Sequence, residues 1–198
     1  SLKSVCPPQA QYIGVDFIAA KGVDVVLTDP YHLPFDSNSL DVVVSSSCFE
    51  HSEMFWLLFL EIMRVLKPEG LFYFNSPSNG EFHRYPVDCY RFYPDSGNAL
   101  ARWAQRNGLR TLSLESYVSN QAGGHWNDFV SVFLKDEAFL DRHRGRILHH
   151  FTDFTNGRMH PVEGVEAQTT FVNFSSRQED QRGTGAKLRR KIARLFGG

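Results

Sequence analysis

The chain has 198 residues and a formal net charge of −1 at pH 7, and 42% of its residues are hydrophobic. This length suits one domain with a substantial core, and no run approaches the ~18 consecutive apolar residues of a membrane span. No signal-peptide pattern opens the chain, and its three cysteines form neither a Cys-x-x-Cys pair nor a disulfide framework. We therefore expect a soluble, cytoplasmic protein with reduced thiols.

The charge is unevenly distributed along the chain. Residues 177–198 contain seven basic and two acidic residues, whereas the preceding 176 residues contain 14 and 20. The mildly acidic body argues against a nucleic-acid-binding protein. The basic tail includes KLRRKIARLF at residues 187–196, which predicts an amphipathic helix. Two interpretations of this helix stay open: peripheral contact with an anionic membrane, or docking on the domain's own surface.

Apolar patterning predicts strands that alternate with helices. β-branched runs indicate strands, and apolar residues at a spacing of 3.6 indicate helices, which end at Pro or Gly. The predicted strands are residues 12–15, 23–27, 41–45, 71–74, 109–118 and 129–134, and the predicted helices are residues 55–66 and 96–107. This order predicts an open, mostly parallel α/β sheet in which the last two strands are an antiparallel pair.

Two acids follow the first two predicted strands, where open α/β sheets bind their ligands. Asp16 is well placed to accept hydrogen bonds from ribose hydroxyls, and Asp29 from the exocyclic amine of a purine. Leu33 and Phe35 would then form an apolar wall for the purine ring, which would explain Leu-Pro-Phe in this loop. The alternative is that both acids only end strands and cap turns, and the spacing alone does not decide.

Four sequence blocks resemble the class I S-adenosylmethionine-dependent methyltransferases of the type 11 subgroup. They are DPYHLPF at residues 29–35, SLDVV at 39–43, FEH at 49–51 and EIMRVLKPEGL at 61–71. Their order and spacing are similar to the family pattern D-A-x-x-L-P-F, S-F-D-x-V, E-H and R-V-L-K-P-G-G, and the resemblance covers roughly residues 10–118. HRYPVDCYRF, residues 83–92, also resembles a segment of methyltransferases associated with bacterial surface-polysaccharide synthesis.

The resemblance implies a Rossmann-like sheet with S-adenosylmethionine bound across its middle. Pro30 stands where the family usually has Ala, and because Pro has no N–H, Tyr31 or a shifted loop would have to donate to the adenine. The cofactor contacts that the resemblance implies are Asp16, Phe17, Asp29, Pro30, Leu33, Ser45, Ser46 and His51.

The family's glycine-rich loop and first strand have no counterpart in the sequence. The resemblance places that strand between those ending at Asp16 and Ser45, so its absence would leave two rows of backbone groups unpaired. Another segment could fill the gap, the two strands could pair directly, or another chain could complete the sheet. We expect a chain that looks cut just downstream of this strand to bind S-adenosylmethionine weakly or not at all.

Residues 83–93 lie on the expected substrate side. His83 or Asp88 could act as a general base, and Arg91 could hold an anionic group such as a sugar acid or phosphate. Tyr85 and Tyr90 could stack on a ring, although core packing explains aromatic residues equally well.

The sequence therefore predicts a methyltransferase that acts on a small polar acceptor, for which a saccharide is one candidate. The alternative is a non-catalytic remnant of the fold that serves as a binding or assembly module. No metal site is predicted, because Glu50 and His51 are interpreted as a pocket-lining pair. We expect an α/β domain at residues 1–135, a helical and extended appendage at 136–176, and a polar linker with the basic helix at 177–198.

Overall fold

The computed structural model describes residues 2–121, 124–161 and 170–172, which form two sheets and two α-helices. The smaller sheet pairs two short parallel strands, and the main sheet has six strands in the order β3-β4-β6-β5-β7-β8. The strands are β1 Val15–Asp16, β2 Val25–Val26, β3 Leu40–Ser46, β4 Leu66–Pro77, β5 Leu112–Ser119, β6 Asp128–Leu134, β7 Phe154–Met159 and β8 Thr170–Val172, and the α-helices are α1 Phe55–Val65 and α2 Ser96–Arg106.

The prediction of an open α/β sheet is confirmed, but the sheet is mixed and not mostly parallel, since parallel pairing among the described strands is confined to β1 with β2 and β3 with β4. The remaining strand pairs of the main sheet are antiparallel, including the predicted pair of β5 and β6. Strand β4 begins at Leu66, earlier than predicted, and an irregularity between Leu40 and Val42 accommodates its first residues.

Phenylalanine side chains dominate the core between α1, α2 and the main sheet. Helix α1 forms because its apolar residues recur on one face, and it buries Phe59 and Met63 completely. Phe72 on β4 and Phe133 on β6 meet with ring centroids 5.8 Å apart. Truncating one such ring to Ala typically costs about 3–5 kcal/mol, so this cluster stabilises the sheet strongly.

The edge of β3 that faces away from β4 has no strand partner within the described residues. Strands β1 and β2 form a separate sheet, so the strands that end at Asp16 and Ser46 do not pair directly. Val42 and Val44 on β3 are 56% and 45% exposed. Direct pairing was one of three predicted arrangements and is wrong, and completion by another segment or by another chain stays open.

Residues beyond 135 continue the main sheet. Strand β7 pairs with β5, and β8 pairs with β7. The boundary predicted at residue 135 therefore falls within one sheet. The predicted basic helix of the tail lies outside the described residues. Within the described ranges, no helix combines the length and apolar character that crossing a membrane requires.

Candidate functional site

Asp16 is the last residue of β1, Asp29 follows the end of β2 by three residues, and both are exposed. Asp16 Oδ1 accepts the Ile18 N–H at 3.0 Å, and Asp29 Oδ1 accepts the Tyr31 N–H at 2.8 Å. Both acids therefore close turns, as the simpler interpretation predicted. The described residues supply no hydrogen bond to either Oδ2, so each carboxylate still has one oxygen available to a ligand.

Two residues beside these acids bear on the predicted cofactor contacts. Phe17 follows Asp16 and is 46% exposed, so its ring is accessible. Pro30 is exposed and has no N–H, and the Tyr31 N–H that was expected to replace it already donates to Asp29. The expectation that Tyr31 donates to an adenine is therefore wrong for this loop conformation.

Helix α1 holds the Leu-Pro-Phe segment in place. Glu61 Oε1 accepts the Leu33 N–H at 2.8 Å, and Arg64 donates to the carbonyl oxygens of Leu33 at 2.9 Å and Phe35 at 3.0 Å. The hydrogen bond from Arg64 holds the pKa of Glu61 below its usual value. Leu33 is only 7% exposed and packs in the core, so its side chain offers little surface to a purine.

The last two residues of β3 are the next candidates. Ser46 is exposed, whereas Ser45 Oγ is buried beside the Cys48 thiol, with which it can hydrogen-bond. A 3-10 helix, Phe49–His51, follows. Glu50 is fully buried: its Oε2 accepts a hydrogen bond from Ser76 Oγ at 2.7 Å, and its Oε1 has no partner.

The segment of residues 81–91, which we call the substrate loop, packs on this 3-10 helix. The Cys89 and Tyr90 N–H groups donate to the Glu50 carbonyl at 2.8 and 3.2 Å, and His51 Nδ1 lies 2.5 Å from the Val87 carbonyl oxygen. The structure thus brings together His51 and His83, whose ring centroids are 5.0 Å apart.

An ion pair between Asp88 and Arg91 fixes the shape of the substrate loop. The Asp88 side chain is 2% exposed and accepts hydrogen bonds from Arg91 Nη1 at 2.6 Å, Arg91 Nη2 at 2.9 Å and the His83 N–H at 2.7 Å. The Arg91 hydrogen bond, assisted by that from His83, holds the pKa of Asp88 far below its usual range. A buried, paired carboxylate of such low pKa is a poor proton acceptor, which argues against Asp88 as the general base.

The aromatic residues of the substrate loop differ in their roles. The Tyr90 hydroxyl donates to the Glu53 carbonyl at 2.9 Å, and its ring packs 4.8 Å from that of Phe55. Tyr90 therefore belongs to the packing of the loop and not to a free stacking surface. Tyr85 is 74% exposed and is free to stack on a ligand.

Trp126, in the connection between β5 and β6, completes the site and was missed by sequence reasoning. Its ring lies 5.1 Å from that of His83 and 5.7 Å from the Arg91 guanidinium. It also packs on Gly80, where an added Cβ would come within 1.8 Å of the indole. The contact joins residues 46 positions apart, so no local pattern could have found it.

A shallow cavity of about 270 Å³ opens beside these groups, and its size suits a small polar molecule better than a large one. Its lining comes from the substrate loop and the residue before it: Gly80, Phe82, Asp88, Cys89, Tyr90 and Arg91.

A family model matches the part of the chain that carries β1 to β3, α1 and most of β4. Residues 5–74 match the family model described as "Methyltransferase domain" (Methyltransf_11). These residues include both exposed acids, the Leu-Pro-Phe segment and the Glu50–His51 turn. No curated protein matches the chain.

Several solved structures are similar to the chain. The Burkholderia thailandensis 1,6-didemethyltoxoflavin-N1-methyltransferase, with 1,6-didemethyltoxoflavin and S-adenosylhomocysteine bound, is 16% identical, with a TM-score of 0.50, over 62% of this chain and 60% of that one. A SAM-dependent methyltransferase from Aquifex aeolicus is 17% identical, with a TM-score of 0.38, over 58% of this chain and 56% of that one. One from Methanosarcina mazei is 12% identical, with a TM-score of 0.46, over 63% of this chain and 81% of that one.

The similarity to the Burkholderia structure shows a shared α/β fold over the 62% of this chain that is aligned. The chain spans less than two thirds of the length of the first solved structures that it matches.

Proposed function

We propose that this chain acts as an S-adenosylmethionine-dependent methyltransferase on a small polar acceptor, and that a saccharide is the acceptor class. The observation that carries the proposal is the position of three oxygen-bearing side chains in the sheet. Within the segment that matches a methyltransferase domain, Asp16 ends β1, Asp29 follows β2 by three residues and Ser45 lies at the end of β3, and each of the two carboxylates keeps one oxygen that no described residue bonds. That end of an α/β sheet is where ligands of this fold class bind.

The residues present fit S-adenosylmethionine, which supplies an electrophilic methyl group when bound. Asp16 Oδ2 would accept hydrogen bonds from a ribose, and Asp29 Oδ2 would accept from the adenine amine. Ser45 Oγ, beside the Cys48 thiol, contributes a further hydroxyl at the end of β3. The accessible ring of Phe17 would contribute apolar contact beside Asp16.

The substrate loop supports a polar, ring-shaped acceptor. Phe82 and Tyr85 are 75% and 74% exposed and offer flat apolar surfaces on which a sugar ring could stack. His83 is the candidate base of this loop, since its imidazole is 39% exposed. Because methyl transfer from a sulfonium neutralises charge, the main task of these residues is to position the acceptor in line with the methyl group.

A binding experiment followed by an activity screen tests this proposal. Calorimetric titration with S-adenosylhomocysteine should give saturable binding that Asp16→Asn weakens, while Asp41→Asn, at the opposite end of β3, leaves it unchanged. Folded protein that binds no cofactor, or that binds equally with Asp16→Asn, contradicts the proposal. Transfer of a labelled methyl group to a panel of sugars and sugar acids then identifies the acceptor class, and transfer only to non-sugar acceptors contradicts the saccharide part.

We also propose that the basic tail, residues 187–198, binds to an anionic membrane surface. Its sequence places four apolar residues on one helical face and basic residues around it, as in helices that lie on anionic lipid. Sedimentation with liposomes should rise with anionic lipid content, fall with salt and disappear when residues 187–198 are deleted. Equal sedimentation of intact and deleted chains would leave the alternative, a helix docked on the domain's own surface.

A further inference from the structure

We propose that Glu50, His51 and His83 bind a divalent transition-metal ion, such as Zn²⁺, at the substrate end of the site. One ligand atom from each of the three residues lies within 4.8 Å of the other two. Two imidazoles and one carboxylate are a donor set that Zn²⁺ and similar ions accept, with further positions open to water or substrate. The sequence did not predict this site, because His83 lies 32 positions beyond His51.

The buried carboxylate of Glu50 supplies an independent indication of a missing ligand. Glu50 is 0% exposed, and its Oε1 atom has no hydrogen-bond partner within the described residues. The hydrogen bond from Ser76 Oγ satisfies only the other carboxylate oxygen, Oε2. A buried carboxylate oxygen without a donor is unfavourable, and a cation beside it would remove that penalty.

Each histidine has its Nδ1 atom beside a backbone carbonyl oxygen. His51 Nδ1 lies 2.5 Å from the Val87 carbonyl oxygen, and His51 Nε2 lies 3.8 Å from Glu50 Oε1. His83 Nδ1 lies 3.2 Å from the Glu81 carbonyl oxygen, and the tautomer protonated at Nδ1 would leave Nε2 of either ring able to coordinate. Metal-bound histidines commonly donate their second ring N–H to a carbonyl or carboxylate in this way.

The surroundings of the three residues are compatible with a bound cation. Arg91 Nη2 lies 3.4 Å from His83 Nδ1, but Asp88 neutralises its charge through two hydrogen bonds. The side chains of Glu50 and His51 are 1% and 12% exposed, whereas that of His83 is 39% exposed. Small movements of the accessible His83 would bring the ligand atoms to coordination distance of about 2.0–2.2 Å from Zn²⁺.

A simple ion pair between Glu50 and protonated His51 is the competing explanation. The separation of 3.8 Å between Nε2 and Oε1 exceeds a hydrogen bond, so such a pair would leave both atoms unsatisfied. It would also give His83 no role in the cluster. A metal ion accounts for all three residues at once.

A metal ion at this site would also change how an acceptor hydroxyl loses its proton. This part of the inference rests on the proposed methyltransferase function. A hydroxyl bound to the ion would release its proton to solvent at a lower pH. The oxygen would then form a bond to the methyl carbon while the carbon–sulfur bond of the sulfonium breaks. His83 would act as a ligand and could not serve as the general base.

Metal titration of the full chain tests the site without any methyl donor. Chelator-stripped protein should bind one Zn²⁺ by calorimetry, and Co²⁺ should give the visible absorption bands of a nitrogen- and oxygen-ligated ion. Mg²⁺ should bind far more weakly, because it disfavours imidazole ligands. His83→Ala and Glu50→Gln should each weaken Zn²⁺ binding by at least about tenfold.

The control variant is His150→Ala, which removes an exposed histidine outside the cluster. Circular dichroism establishes that each variant is folded, and the partly exposed His83 makes His83→Ala the safer of the two tests. Equal Zn²⁺ affinity for the unaltered chain and His83→Ala, or an equal loss with His150→Ala, overturns the proposal. Zn²⁺ binding without S-adenosylhomocysteine binding keeps the metal site and removes the proposed function, and the reverse result removes only the metal site.

Discussion

Replacing Asp88 by Asn should break the ion pair with Arg91 that holds the substrate loop in place. The free energy of unfolding of the whole domain should fall as a result. Asp88 accepts three hydrogen bonds, two of them from Arg91, and its side chain is 2% exposed. Asn preserves the shape of the side chain but removes its charge. Arg91, whose side chain is 17% exposed, would then keep a largely buried charge without a counter-ion.

The expected loss of stability is about 3 kcal/mol. Removing one partner of a buried ion pair typically costs about 3–5 kcal/mol. The lower end applies here, because Arg91 still donates to the carbonyl oxygens of Glu81 and Tyr90, and because the loop lies close to solvent.

The same ion pair should make stability depend on pH in the acid range. Because the pKa of Asp88 is lowered in the folded state, its contribution is complete above the unfolded value of about 3.9. That contribution is lost as the pH falls from this value towards the lower native pKa. In Asp88→Asn this part of the acid dependence should be absent.

Urea unfolding followed by tryptophan fluorescence measures both effects, at pH 7 and in steps below pH 4. Asp41→Asn is the matched control: its exposed carboxylate pairs with Lys67 at the surface, so the change should stay within about 0.5 kcal/mol. If Asp88→Asn unfolds within 0.5 kcal/mol of the unaltered chain, or keeps its acid slope, the assigned role of Asp88 is incorrect.

Three further changes probe the cofactor end, the loop packing and the open sheet edge. Asp16→Ala should weaken S-adenosylhomocysteine binding by about 1–3 kcal/mol in calorimetry, and an affinity equal to that of Asp41→Ala would remove Asp16 from the site. Gly80→Ala should lower the unfolding free energy by about 2–4 kcal/mol, because the backbone there has a positive φ and the added Cβ would clash with the indole ring of Trp126. Gly108→Ala is the control: it has the same backbone strain without the clash and should lower the unfolding free energy by only about 1 kcal/mol. Val44→Lys should shift the chain towards monomer in light scattering, because a charge on an unpaired edge opposes strand addition, and an unchanged mass would exclude completion of the sheet by another copy.

Local patterns in the sequence determined most of the secondary structure. The apolar spacing predicted a helix at residues 55–66, and α1 is Phe55–Val65. The second helix was predicted at 96–107 and is Ser96–Arg106. These elements are predictable because the 3.6-residue period and a Gly or Pro stop act within one turn of the chain. Asp16 and Asp29 were likewise found from the strands that precede them.

The tertiary structure decided which of these residues can act on a ligand. Leu33 was expected to face a purine, but α1 draws it into the core through Glu61 and Arg64. Asp88 was expected to accept a proton, but Arg91 neutralises it. In both cases the packing of the folded chain determines which partner the side chain contacts. A pattern in the sequence does not specify that packing.

The grouping of Glu50, His51 and His83, like the contact of Trp126 with Gly80, also exists only in three dimensions. The substrate loop must fold back on the 3-10 helix before His83 approaches His51, and β6 must pair with β4 before Trp126 approaches Gly80. The sequence by itself therefore determined where strands and helices form, because those preferences are local. Only the tertiary structure decided which side chains meet, because burial and long-range pairing leave no period in the sequence.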